Sequence, residues 1–143
     1  MHKLFNRLFG RAEEINGRER CPTYLYRWTL AARRGLFGVY LHHFVGDDWS
    51  RDLHDHPKRF ISIGLWGWYI EETPTSRRKY RAPWIRTFPA EHIHRLMVPS
   101  KNTWTLVIVL KPVREWGFWH EGRFIGWREY VEGKTADKMK ACD

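Results

Sequence analysis

The punctuation of the chain after Pro22 limits its fold more than any other feature. From there to about residue 130 the apolar and aromatic residues come in short runs, each cut by glycine, proline or charge. YLYRWTLAARRG and LFGVYLHHFV lead into the polar turn GDDWSRD at 46–52. HDHPKRFISIGLWGWYIEE then fills 54–72, TPTSRR turns the chain at 73–78, and KYRAPWIRTF, RLMVPSKNTWTLVIVL, WGFWH and FIGWREYV follow. Runs rich in Tyr, Trp, Phe, Val and Leu between turn signals read as strands. Roughly eight such strands with almost no helix predict an all-β sandwich or small antiparallel barrel, not a βαβ fold.

The start of the chain has a different rhythm. Leu4, Phe5, Leu8 and Phe9 stand at helical spacing, so residues 1–20 predict a short helical arm that ends near Gly17. A basic amphipathic helix can touch a membrane or a partner; lying over one end of the domain is the plainer expectation. With 143 residues, the chain divides into this arm, one β domain over 21–132 and a polar C-terminal tail over 133–143. The longest apolar run, Thr105–Leu110, is far short of the roughly 20 residues of a spanning helix. Cys21 and Cys142 stand far apart without local partners, which makes neither a disulfide framework nor a zinc knuckle. A reduced, cytoplasmic protein is the expectation.

Eight histidines are present, and four fall in two triplets, His54-Asp55-His56 and His92-Ile93-His94. Side chains two apart on a strand point the same way, about 6.5 Å apart at the backbone. Two imidazoles so placed can converge on one metal ion with nitrogen–metal distances of about 2.1 Å. A single triplet is often only a polar strand face; two in one small all-β chain favour a metal site. His42 and His43 are adjacent and point to opposite faces, so they cannot chelate together, although one of them can line the barrel interior. His2 and His120 have no supporting pattern.

These residues resemble the two motifs of the cupin barrel. In the first motif, His54 and His56 match a His-x-His followed by proline, here Pro57, and Gly67 matches the closing glycine. In the second, Pro89 matches the proline and His94 the histidine. The run from HDHPKRF through FPAEHIHRL and WTLVIV to WGF is similar to small cupins of bacteria and their phages, over most of 36–130. The resemblance implies a cupin-type double-stranded β-helix with the short N-terminal helix outside it. The family's glutamate ligand falls on Phe60, which cannot bind metal. That leaves His54, His56 and His94, with His92 as a substitute for His94 or as its orienting partner. Three histidines without a carboxylate resemble the thiol dioxygenases. Glu71, Glu72 or Glu91 can still supply a carboxylate.

The resemblance implies a mononuclear, iron(II)-dependent oxygenase, with zinc or nickel as alternative metals. The formal charge of +9 favours a small anionic substrate. Arg86 shares strand parity with His92 and His94 and can clamp an anion; Tyr80 can supply a phenol. These two are the candidate catalytic residues, and Arg59 has outward parity. Two other readings stand: a sugar or sugar-nucleotide isomerase, epimerase or lyase, and a non-enzymatic binding module. Nucleic acid is a partner of that last reading only, disfavoured because the basic residues are dispersed. The sequence leaves a homodimer open.

Overall fold

The computed structural model describes residues 1–16, 21–50 and 52–132. The tail expected over 133–143 lies outside the described residues, as does Gly17. In chain order the elements are α1 (His2–Phe9), β1 (Glu13–Ile15), β2 (Leu25–Arg33), β3 (Phe37–Phe44), β4 (Leu53–His54), β5 (Lys58–Trp66) and β6 (Trp68–Glu72). They continue with β7 (Arg77–Arg81), β8 (Trp84–Phe88), β9 (Arg95–Met97), β10 (Thr103–Pro112), β11 (Gly117–His120), β12 (Arg123–Gly126) and α2 (Trp127–Glu132).

The strands form one six-stranded sheet, ordered β1-β2-β3-β10-β5-β8, and two three-stranded sheets, β12-β11-β4 and β7-β6-β9. All pairings are antiparallel. The two small sheets meet at a single pair, His54 and His94. Each of these residues donates its backbone N–H to the other's carbonyl, at 2.8 and 2.9 Å. Joined there, the small sheets make a second layer against the large one. Alternation along the strands sets the layers: Leu25 and Phe44 of the large sheet pack with Tyr69 of β6 and with Val98. The opposite face of the large sheet buries Trp28, Leu41 and Trp104 beneath Phe5 of α1. The helix therefore lies outside the barrel, as the sequence predicts. No described helix is long and apolar enough to cross a membrane.

Four expectations change. The helical arm ends at Phe9, where Gly10 takes a φ of 82°, a conformation that favours glycine. Glu13–Ile15 is not helix; it pairs along the free edge of β2, with Ile15 opposite Leu25. The run over 54–72 is three strands, broken at Asp55–Pro57 and at Gly67, whose φ is 81°. A Cβ on Gly67 would lie 2.3 Å from the Asn102 carbonyl oxygen, so only glycine fits this turn. Residues 127–132, expected as strand, are helical because Trp127, Tyr130 and Val131 together cover Phe118. Finally, Cys21 is disulfide-bonded, and Cys142 lies outside the described residues. The argument from free thiols to a reducing compartment therefore does not hold.

Candidate metal centre

The His54–His94 pair sets the geometry of the site. Cross-strand neighbours exchanging both hydrogen bonds carry their side chains on the same face. The next residue, Asp55, is wholly buried. Its carboxylate accepts from the Gly117 N–H at 2.9 Å and from Arg114 Nη1 at 2.6 Å. That anchor turns the chain out of β4, and the His56 N–H then donates to the Ala90 carbonyl at 3.0 Å. The first triplet is thus not one continuous strand, as parity assumed. It crosses from one layer towards the other, and its two imidazoles still converge.

The ring centroids of His54, His56 and His94 lie 5.1, 5.2 and 5.0 Å apart, a nearly equilateral triangle. His56 Nε2 is 2.8 Å from His94 Nε2. Burial, reinforced by the neighbouring imidazoles His94 and His92, pushes the pKa of His54 down to about 3. Burial likewise pushes His56 well below its ordinary value. His94 also falls, through burial, against the opposing pull of Glu71. All three rings are neutral at neutral pH and carry the lone pairs that a metal requires.

Glu71 of β6 lies behind His94. Its Oε1 accepts from His94 Nδ1 at 2.7 Å and from His92 Nε2 at 2.9 Å, while Arg86 donates to Oε2 at 2.6 Å. Burial alone would raise the carboxyl pKa; the hydrogen bonds from His92, His94 and Arg86 outweigh it and hold Glu71 well below the usual carboxylate range. A proton on His94 Nδ1 leaves the Nε2 lone pair facing His56. Among the described residues, two sets of side chains have ligand atoms close enough for one ion: His54, His56 and His94, and Glu71, His92 and His94. In the second set the carboxylate is already engaged by two imidazoles and a guanidinium.

A chamber of about 360 Å³ opens beside His54 and His56, lined also by Arg27, His42, Asp48 and Lys58. It continues inward into a smaller space of about 200 Å³ that reaches His94. This double-layered β architecture has counterparts among solved structures. KdgF from Halomonas sp. matches with a TM-score of 0.52 at 15% identity, over 71% of this chain and 94% of that one. A cupin superfamily protein from Desulfitobacterium hafniense gives 0.51 at 15% identity, over 70% and 99%. The fold is that of the cupins. A conserved protein of unknown function from Streptococcus pyogenes matches at 0.50 and 18% identity, over 63% of this chain and 76% of that one. No protein-family model matches the sequence, and no curated protein matches it.

In this cupin-like fold Phe60 stands beside the three histidines, its ring 4.8 Å from that of His56 and stacked on Phe88 at 4.5 Å. Arg86 and Tyr80 do not line the chamber. Arg86 holds Glu71 and donates to the Tyr69 hydroxyl at 2.8 Å, and its guanidinium lies 3.8 Å over the Tyr80 ring. Tyr80, Arg86 and His92 instead line a shallow depression on the other side of Glu71. Arg59 is exposed, as its parity requires. The chamber residues that sequence reasoning missed are Arg27, Tyr24 and Asp48. Burial raises the Asp48 pKa to about 7, although its Oδ2 accepts from the Leu96 N–H at 2.7 Å. Nothing in the local pattern marks these three, because they come from β2 and two loops distant in sequence. Of the His42–His43 pair, expected to put one ring into the barrel, it is His42 that lines the chamber.

Proposed function

We propose that this cupin holds one divalent transition metal through His54, His56 and His94 and acts on a small anionic molecule in the adjoining chamber. The convergence of three neutral imidazoles, His94 buried and His54 and His56 half-buried, carries the reading. His54 sharpens it: among the described residues its ring makes no hydrogen bond, the nearest carboxylate oxygen being Asp48 Oδ2 at 3.9 Å. Its ring nitrogens, half-buried at the mouth of the chamber, are thus free to bind a ligand there. When bound, iron(II) supplies a redox centre able to use oxygen, and zinc or nickel a Lewis acid. We favour iron(II) and oxygenation, because three imidazoles leave the metal its full charge and open positions.

The chain's own residues have separate tasks in this reading. Glu71 fixes the His94 tautomer, and Arg86 and His92 hold Glu71. Phe60 and Phe88 keep water from one side of the triad. Arg27 and Lys58 give the chamber the positive charge that draws an anion. The isomerase alternative needs imidazoles that exchange protons near neutral pH, which burial of His54 and His56 disfavours. The nucleic-acid alternative has one stripe in its favour, exposed Arg77, Arg78, Lys79 and Arg81 on β7. That strand ends a sheet, where charges also block strand addition.

Elemental analysis of tag-free protein and anaerobic titration with iron(II) or zinc test the proposal. One equivalent is expected, lost in His54→Ala, His56→Ala and His94→Ala, and kept in His92→Ala. A parent protein that binds no transition metal overturns it. Oxygen uptake by the iron form in the presence of small carboxylates separates oxygenase from Lewis-acid chemistry.

A further inference from the structure

The strand register places three polar residues in one straight row across the inner face of the large sheet. Arg27 of β2 is opposite His42 of β3, and His42 is opposite Thr105 of β10. The next position in the row, opposite Thr105, is Gly64. The ring of Trp84 covers Gly64 so closely that a Cβ there would lie 2.2 Å from it. The row is therefore closed at one end by an indole, and at the other it runs on past Arg27 to Glu13 of β1, whose side chain is largely exposed. Its three side chains line the same inner chamber as His54, His56 and His94.

The row is made of donors. Arg27 Nε donates to His42 Nε2 at 3.1 Å, which leaves the second ring nitrogen of His42, Nδ1, carrying its proton. Arg27 is also held by Glu13, 3.6 Å from Nη1, and by the Tyr40 ring, 5.3 Å from the guanidinium carbon. Its orientation is thus set before any ligand arrives, and Nη2 makes no hydrogen bond among the described residues. Thr105 is 1% exposed, and its hydroxyl has no hydrogen-bond partner among the described residues. A buried hydroxyl left unsatisfied is unfavourable, and beside the Arg27 and His42 donors an acceptor would satisfy it. The acidic neighbour, Asp48, has one oxygen engaged by the Leu96 N–H and does not reach the row's hydroxyl.

We infer that Arg27, His42 and Thr105 form the subsite that takes a carboxylate group of the substrate, on the wall of the chamber that also holds the metal ligands. The inference rests on the reading of that chamber as a substrate site. One guanidinium, shared with the largely exposed Glu13 at 3.6 Å, and two neutral donors can neutralise at most one negative charge, which favours a monoanionic carboxylate over a phosphate dianion. The chamber volumes, about 360 and 200 Å³, limit the substrate to a small acid.

Acetate is the probe, acetamide its uncharged counterpart and inorganic phosphate the dianion. Each is titrated into the metal-free full chain and followed by ¹H–¹⁵N NMR at the Arg27 Nε–H and the Thr105 amide. Saturable shifts with acetate are expected, with acetamide and phosphate each at least about 10-fold weaker. Arg27→Gln should weaken acetate by about 10-fold or more, Arg27→Lys by less, and Thr105→Val by about 3-fold without loss of thermal stability. Equal binding of acetate and acetamide, tighter binding of phosphate, or unchanged acetate binding in both Arg27→Gln and Thr105→Val overturns the inference. Zinc titration of the same samples separates the two readings. A parent that binds zinc but not acetate overturns only the subsite; one that binds acetate at Arg27 but no metal overturns only the metal site.

Discussion

Glu71→Gln tests the site most directly, because this one carboxylate touches every group behind His94. Its side chain is 3% exposed and makes contacts of 2.7, 2.9 and 2.6 Å with His94, His92 and Arg86. Glutamine keeps the shape but replaces one acceptor oxygen with an NH2 group. If the amide oxygen faces the imidazoles, the NH2 meets the Arg86 guanidinium; if it is turned, the NH2 meets His92 and His94. Either way donors face donors. Breaking a buried ion pair costs about 3–5 kcal/mol. The lower end applies here, since Arg86 is 19% exposed and keeps the Tyr69 hydroxyl. About 3 kcal/mol corresponds to a melting point lower by roughly 10 °C in a domain of this size. For the metal, losing the partner of a ligating imidazole typically weakens affinity 10- to 100-fold, about 1.4–2.8 kcal/mol, without changing stoichiometry. Differential scanning calorimetry of the metal-free variant gives the first number, and competition against a chromophoric chelator the second. Complete loss of stoichiometric binding in Glu71→Gln, with binding kept in His54→Ala, would show that the ion belongs to Glu71, His92 and His94. Unchanged affinity would refute the orienting role of Glu71.

Phe60→Glu places a carboxylate beside His56 and should raise zinc affinity about 10-fold while lowering the melting point through the lost stack on Phe88; unchanged affinity in the same competition assay would mean that the side chain points away from the triad. Acid should destabilise the metal-free protein below neutrality. The folded-state pKa of His54 is about 3, below the unfolded value near 6.5, so the unfolded chain takes up protons first. The imidazole contribution is then full above about pH 6.5 and falls by about 1.4 kcal/mol per pH unit for each such group, His42, His54, His56 and His94 together outweighing Asp48, whose raised pKa works the other way; urea unfolding at pH 7, 6 and 5 that gives one midpoint contradicts this. Asp55→Asn should keep the bond from the Gly117 N–H, lose the charge pair with Arg114 and lower the melting point by several degrees, by about 1–2 kcal/mol, measured by circular dichroism. His42→Ala and His120→Ala should leave one zinc per chain in the anaerobic titration, because neither belongs to a converging set.

The barrel was legible because strands bounded by turns leave a local signature, and the convergence of His54, His56 and His94 was legible because the histidines cluster in two triplets. How the three rings are brought together was not legible. His54 and His56 were expected to converge by strand alternation; in fact the chain leaves β4 at His54, and buried Asp55 and the Ala90 carbonyl aim the second ring. Arg86 was assigned to the right side of its strand, but its target is Glu71, and only the pairing of β5 with β8 brings it across to β6. Glu71 itself was one of three acids open as ligands. Choosing among them required knowing that β6 lies beside β9, a contact between residues more than twenty positions apart. The helix over 127–132 was misread because a six-residue helix rich in Trp, Tyr and Val has the composition of a strand. Arg27 and Thr105 carried no signal at all, since their meaning lies in a register between strands.

The joint between the two small sheets has a kinetic consequence. One residue pair stitches them, and both members are proposed to hold the ion. An ion there is a rivet through the weakest seam of the second layer, and it cannot leave without loosening that seam. The rate at which bound metal exchanges with solution should then run in step with hydrogen exchange at the His54 and His94 amides. Those two N–H groups would serve as a clock for how often the layer parts.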